Sequence, residues 1–168
     1  MKKSRFITQG ALLAALYVVL THLQNFLIPD SASFAIQFRA SEALCVLALF
    51  TPAAIPGLTL GCLLFNISFA GALPLDFLVG SLATLLATAG MYALRKLTVK
   101  SYPIVAMLLP AIANGLLVGW ELSIYVGGAF GLNALYVAIG EAAVLLTLGT
   151  ALYYALHTRN LDKRLFKC

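Results

Sequence analysis

Between its basic ends the chain carries almost no charge, and that decides the medium in which it folds. From Phe6 to Leu94 the ionised side chains are Asp30, Arg39, Glu42 and Asp76. With 62% of its residues hydrophobic and 10% charged, the chain holds about half the charge usual in a soluble domain. The expectation is an all-α integral membrane protein. Six spans of about 20 residues would consume most of the length, leaving one compact bundle over residues 1–168 and no soluble domain or nucleotide-binding engine.

The N-terminus, MKKSRFITQGALLAALYVVL, has the basic head and apolar run of a secretory signal, and Ser31-Ala32-Ser33 passes for a cleavage site. The run continues from Phe6 to about Ile28, which suits a retained first helix better. Five more helices are expected, over about Arg39–Phe50, Ala53–Phe69, Leu75–Leu97, Tyr102–Val126 and Leu132–His157. Breaks at Pro29-Asp30, Thr51-Pro52, Gly71 to Pro74 and Gly127-Gly128 separate them. The second, at roughly 12 residues, is too short to span alone.

Orientation follows from the basic residues. Lys2, Lys3, Arg5, Arg95, Lys96, Lys100, Arg159, Lys163, Arg164 and Lys167 fall on one side of a six-helix arrangement, leaving Arg39 on the other. Both termini are therefore expected in the cytoplasm, with the loops after helices 1, 3 and 5 outside. The net charge of +5 is read as orientation, and no nucleic-acid partner is expected. Three cysteines, Cys45, Cys62 and Cys168, lack CxxC or His/Cys clustering, so no metal, cofactor or disulfide framework is indicated and packing explains them. Neither a P-loop, HExxH nor GxSxG occurs, so the chain is read as a binder and not an enzyme.

Polar residues in apolar helices are costly enough to mark function. Arg39 and Glu42, three apart, share a helix face and can pair; a purely structural ion pair is the bland alternative. By depth, Gln37, Arg39 and Glu42 open helix 2, Asn66 lies near the outer end of helix 3, and Asp76 opens helix 4. Trp120 and Glu121 sit in the outer part of helix 5, with Asn133 and Glu141 in helix 6. Together they are expected to form one outward-facing acidic pocket. Asp76 and Asn133 also read as helix-terminus residues, and Trp120 as an interfacial anchor. Glu121 and Glu141 must be protonated, paired or facing a cavity, and the cavity is favoured. Such a pocket prefers a cationic, donor-rich ligand, with Trp120, Phe34 or Phe38 available to stack on a flat ring. The loop Pro29 to Phe38 reads as a lid.

The run IQFRASEAL followed by LFTPAAIPGLTLGCLLFN resembles the queuosine-precursor transporter (QueT-like) family, the substrate-binding S components of energy-coupling-factor (ECF) transporters. The resemblance extends over nearly the whole chain. It implies a subunit of an ABC-type importer in the bacterial cytoplasmic membrane that captures a 7-deazaguanine base, pre-queuosine or queuine, from outside. The partners it implies are the transmembrane coupling protein EcfT and two cytoplasmic ATPases. In such S components an AxxxA patch on helix 1 docks onto the coupling subunit, and Ala11 and Ala15 match it. Other readings keep the architecture and change the ligand to riboflavin, thiamine or biotin, or make the chain a stand-alone proton-coupled carrier using Glu42, Glu121 and Glu141.

Overall fold

A computed structural model describes residues 3–29, 38–69, 72–100, 102–158, 161 and 165–166. Its architecture is helical. α1 (Lys3–Leu27) is followed by a 3-10 helix (Ala40–Leu49), then α2 (Ala54–Ser68) and α3 (Asp76–Leu94). α4 (Ile104–Met107) and α5 (Leu109–Tyr125) follow, then α6 (Phe130–Val144), a π-helical turn (Leu145–Gly149) and α7 (Thr150–Thr158). Four stretches are long and apolar enough to cross a membrane: Lys3–Leu27, Asp76–Leu94, Ile104–Tyr125 and Phe130–Thr158. The 3-10 helix and α2 are shorter.

Sequence boundaries and observed ends agree closely, with two differences of type. The stretch expected as an α-helix over Arg39–Phe50 is a 3-10 helix, with Arg39 as its extended N-cap. A 3-10 helix rises ~2.0 Å per residue against ~1.5 Å for an α-helix, so ten residues reach about 20 Å instead of 15. The short segment thereby covers more depth than its length suggests. The expected fifth helix is broken at Leu108, because Pro110 has no N–H to offer the carbonyl four residues earlier and its ring crowds that turn.

The 3-10 helix is the centre of the bundle. Every residue from Ser41 to Leu49 is buried, with α1, α2, α3, α6, α7 and the π-helical turn packed around it. Apart from Ser41 and Glu42 the element is apolar all round, and such a helix is stable when enclosed in this way. Gly149 of the π-helical turn gives it close access: a Cβ there would stand 3.1 Å from Val46 Cγ2.

Two crossings built on small residues hold the outer helices together. On one side Gly57 of α2 lies so close to Gly10 of α1 that a Cβ would stand 2.6 Å from the Gly10 carbonyl oxygen. Gly61 meets Ala14 and Tyr17 in the same crossing. On the other side Gly115 and Gly119 of α5 meet Ala138 and Ala134 of α6. In a medium as apolar as the side chains, such close backbone approach replaces the hydrophobic drive to associate. α5 and α6 are joined through Gly127 and Gly128, whose φ angles of 90° and 88° lie where a side chain is disfavoured.

Candidate functional site

The first turn of the 3-10 helix is fixed by one face of α1. Tyr17, Thr21 and Gln24 recur at the spacing that aligns residues along a helix. Gln24 grips the backbone on either side of Arg39, its amide donating to the Phe38 carbonyl and its oxygen accepting from the Ala40 N–H at 2.6 Å. Thr21 donates to Ser41 Oγ at 2.7 Å, and Tyr17 donates to Glu42 Oε1 at 2.5 Å. Side chains three apart eclipse on a 3-10 helix, which sets Cys45 beside Glu42. Its thiol donates to Glu42 Oε2 at 3.2 Å. Both Glu42 oxygens therefore have donors inside the protein.

Arg39 is buried, 5% exposed, with its guanidinium 5.9 Å from the centre of the Phe65 ring. It interacts electrostatically with Asp76, Glu42 and Tyr17, so its charge is compensated from α3 and from its own helix. Gly80 of α3 makes the room: a Cβ there would fall 2.9 Å from Asn66 Nδ2 and 3.9 Å from Arg39 Nη1. Asn66, near the end of α2, donates to the Asp76 carbonyl at 2.8 Å. Asp76 opens α3 and accepts the Leu73 N–H at 2.7 Å through Oδ2, so it organises the turn before its helix while facing the cluster.

From the opposite side come Glu121 of α5, which lies beside Asp76 and within electrostatic reach of Arg39, and Glu141 of α6, near Glu42, Arg39 and Asn114. They are 0% and 1% exposed. Among the described residues no donor meets Glu141 Oε2, Asn66 Oδ1 or either Glu121 oxygen at hydrogen-bonding geometry, although the Asp76 carboxyl and the Leu75 backbone lie beside Glu121. Unpartnered buried carboxylate oxygens are rare because each forgoes its hydration without recompense. The geometry is a buried cluster of one guanidinium and four carboxyl groups among the described residues, in which several acceptors face no donor.

Arg39, Glu42, Asn66, Asp76, Glu121 and Glu141 are thus brought together. Two expected members are not. Trp120 lies on the outside of α5 and is half-exposed, since a step of one residue turns a helix by about 100° and its neighbour Glu121 takes the inward direction. Asn133 ties the α5–α6 connection, donating to Ser123 Oγ at 3.2 Å and to the Gly127 carbonyl at 2.9 Å, so it braces that turn and does not join the cluster. Gln37, Phe34 and most of the expected lid lie outside the described residues, while Phe38 is half-exposed. Sequence reasoning missed Tyr17 and Asn114, and it took Cys45 for packing. The recurrence of Tyr17, Thr21 and Gln24 on one face of α1 is the signal that pointed to the first; nothing local distinguishes the other two.

At the opposite end of α1, Ala11 and Ala15 are exposed whereas Gly10 and Ala14 face α2. The two overlapping small-residue pairs therefore divide their work, one inside and one outside. A groove of about 240 Å³ runs beside Ala11, Pro56 and Leu60.

A family model described as QueT transporter matches residues 7–158 of the chain. No curated protein and no solved structure matches it.

Proposed function

The chain belongs to the QueT transporter family, a family of transporters and not of enzymes, and from that premise we propose that it is the substrate-capturing S component of an ECF-type importer. Its ligand is a queuosine precursor, a 7-deazaguanine base such as pre-queuosine or queuine, taken from outside the bacterial cytoplasmic membrane. The observation that carries the substrate class is the cluster of Glu42, Asp76, Glu121 and Glu141 around the single guanidinium of Arg39, with acceptors left over. A site with that balance suits a cation rich in N–H donors. The aminomethyl deazaguanine offers a guanidine-like edge and a positive amine, and a carboxylate takes two parallel N–H donors well. The placement of Lys and Arg supports six spans with both termini in the cytoplasm.

Energy comes from partners: the coupling protein and two cytoplasmic ATPases. Ala11 and Ala15, exposed on α1 beside the groove at Pro56 and Leu60, are the surface on which the coupling protein would seat, since small residues permit close helix approach. Replacing either with leucine is expected to leave ligand affinity unchanged and to abolish ATP-driven uptake in cells. Normal uptake by both variants would count against this docking face. Release into the cytoplasm requires that the reoriented protein bind its ligand more weakly than the outward one.

The test of substrate is equilibrium binding to the purified chain in lipid nanodiscs, with guanine, riboflavin and thiamine as competitors. Tight, selective binding of the aminomethyl deazaguanine is the expected result. Tight binding of riboflavin, thiamine or biotin instead would keep the architecture and replace the ligand. A second reading is favoured by the proximity of Glu141 to Glu42, since neighbouring buried carboxyl groups can carry a proton between them. On that reading the chain is a stand-alone proton-coupled carrier, and uptake by the chain alone in proteoliposomes under a proton gradient, without ATPases, would establish it.

A further inference from the structure

The four clustered carboxyl groups differ in what already satisfies them. Glu42 accepts from Tyr17 and Cys45, and Asp76 accepts from the Leu73 backbone. Among the described residues Glu121, 0% exposed, has no donor in hydrogen-bonding geometry on either oxygen, and Glu141, 1% exposed, has none on one. A carboxylate that pairs within the protein is held in place by that pairing and has little acceptor capacity left to offer. One that is buried without donors sacrifices stability in the free protein, a sacrifice recovered when a ligand brings the donors.

Resting on the reading of the ligand as a donor-rich heterocyclic cation, we propose that Glu121 and Glu141 read the two ends of the ligand, while Glu42 and Asp76 act as positioning residues. Glu121, with two open oxygens, takes the pair of adjacent N–H donors on a guanidine-like edge. Glu141, with one, takes the amine at the other end.

The register of α5 against α6 gives the spacing. Gly119 faces Ala134 and Gly115 faces Ala138, so each step along α5 matches a step back along α6. Glu141 then falls level with Ile112, nine positions from Glu121 (121 minus 112), or ~13 Å along the axis. Arg39 interacts with both carboxyl groups, so its charge bears on both ends of the ligand.

The test pairs protein variants with ligand deletions in nanodisc titrations of the full chain. The probes are the aminomethyl deazaguanine, its analogue without the exocyclic ring amine, and its analogue without the amine of the arm. On the unmodified chain each deletion is expected to weaken binding by about tenfold or more. In Glu121→Gln the ring-amine deletion should cost almost nothing further and the arm deletion its full factor. Glu141→Gln should show the reverse, and Glu42→Gln should keep both factors. Full factors for both deletions in Glu121→Gln and Glu141→Gln would overturn the assignment while leaving the substrate intact, as would the crossed pattern. Failure of the unmodified chain to bind any of the three probes would overturn the substrate reading itself. Thermal melts accompany each variant: a Glu121→Gln protein that no longer folds would show that this carboxylate is needed for structure, contrary to the proposal.

Discussion

The 3-10 helix and the α5–α6 pair both bury glutamates in a bundle with little water, and they treat them in opposite ways. Glu42 arrives with its partners built in, one oxygen to Tyr17 and the other to Cys45. Among the described residues no donor meets either Glu121 oxygen or one oxygen of Glu141, although α5 and α6, which carry them, are closely packed. Close packing and polar satisfaction are therefore separate properties. A region can be rigid in its backbone and still keep acceptors open, and that combination prepares a site to receive a ligand without rearranging its scaffold.

The largest effect should come from attacking what the two regions share. A Cβ on Gly119 would stand 2.5 Å from the Ala134 Cα, and one on Gly57 2.6 Å from the Gly10 carbonyl oxygen, with backbone on both sides and nothing flexible to give way. Gly119→Leu or Gly57→Leu is expected to prevent the corresponding helix pair from closing, read as loss of monodisperse protein on size exclusion. If both variants purify and melt like the parent, the crossings are looser than the geometry states.

Next in size is Tyr17→Phe. It strips a donor from Glu42 and should destabilise by about 1–3 kcal/mol, which for a chain of this size is several degrees in Tm at roughly 2–4 °C per kcal/mol. An unchanged melt would erase the contrast between a satisfied and an unsatisfied glutamate.

The smallest effect on stability belongs to Glu121→Gln. It replaces a buried carboxyl group that no donor supports with a near-isosteric amide, so the Tm of the ligand-free protein should stay level or rise slightly, while ligand-induced stabilisation falls. A drop as large as that of Tyr17→Phe would mean that Glu121 is held by the fold in the same way as Glu42.

Much of this molecule was legible in the residues. The run ASEALCVLAL is apolar but for Ser41 and Glu42, which marked it as costly in an apolar medium; the structure puts it at the centre. The glycine pairs Gly57/Gly61 and Gly115/Gly119 follow a spacing too common to decide anything alone, and only the packed helices show both as close crossings. Trp120 and Glu121 show where reading along the chain stops. Adjacent positions in one helix were both assigned to the pocket, yet only the packing of α5 against α3 and α6 tells which direction is inward. Asn133 was ambiguous for a similar reason, because the Gly127 carbonyl to which it donates is presented only by the folded turn.

By itself the sequence determined the solvent, the succession of helices, their breaks at proline and glycine, and the stock of polar groups confined to apolar segments. Those follow from local chemistry: transfer costs, missing N–H groups and backbone freedom act residue by residue. Tertiary structure decided that the central helix is 3-10, that Tyr17 serves Glu42 across 25 positions of chain, and that Glu121 and Glu141 face the cluster with acceptors to spare. Hydrogen-bond satisfaction is a relation between groups remote in the chain, and it exists only once the helices have packed.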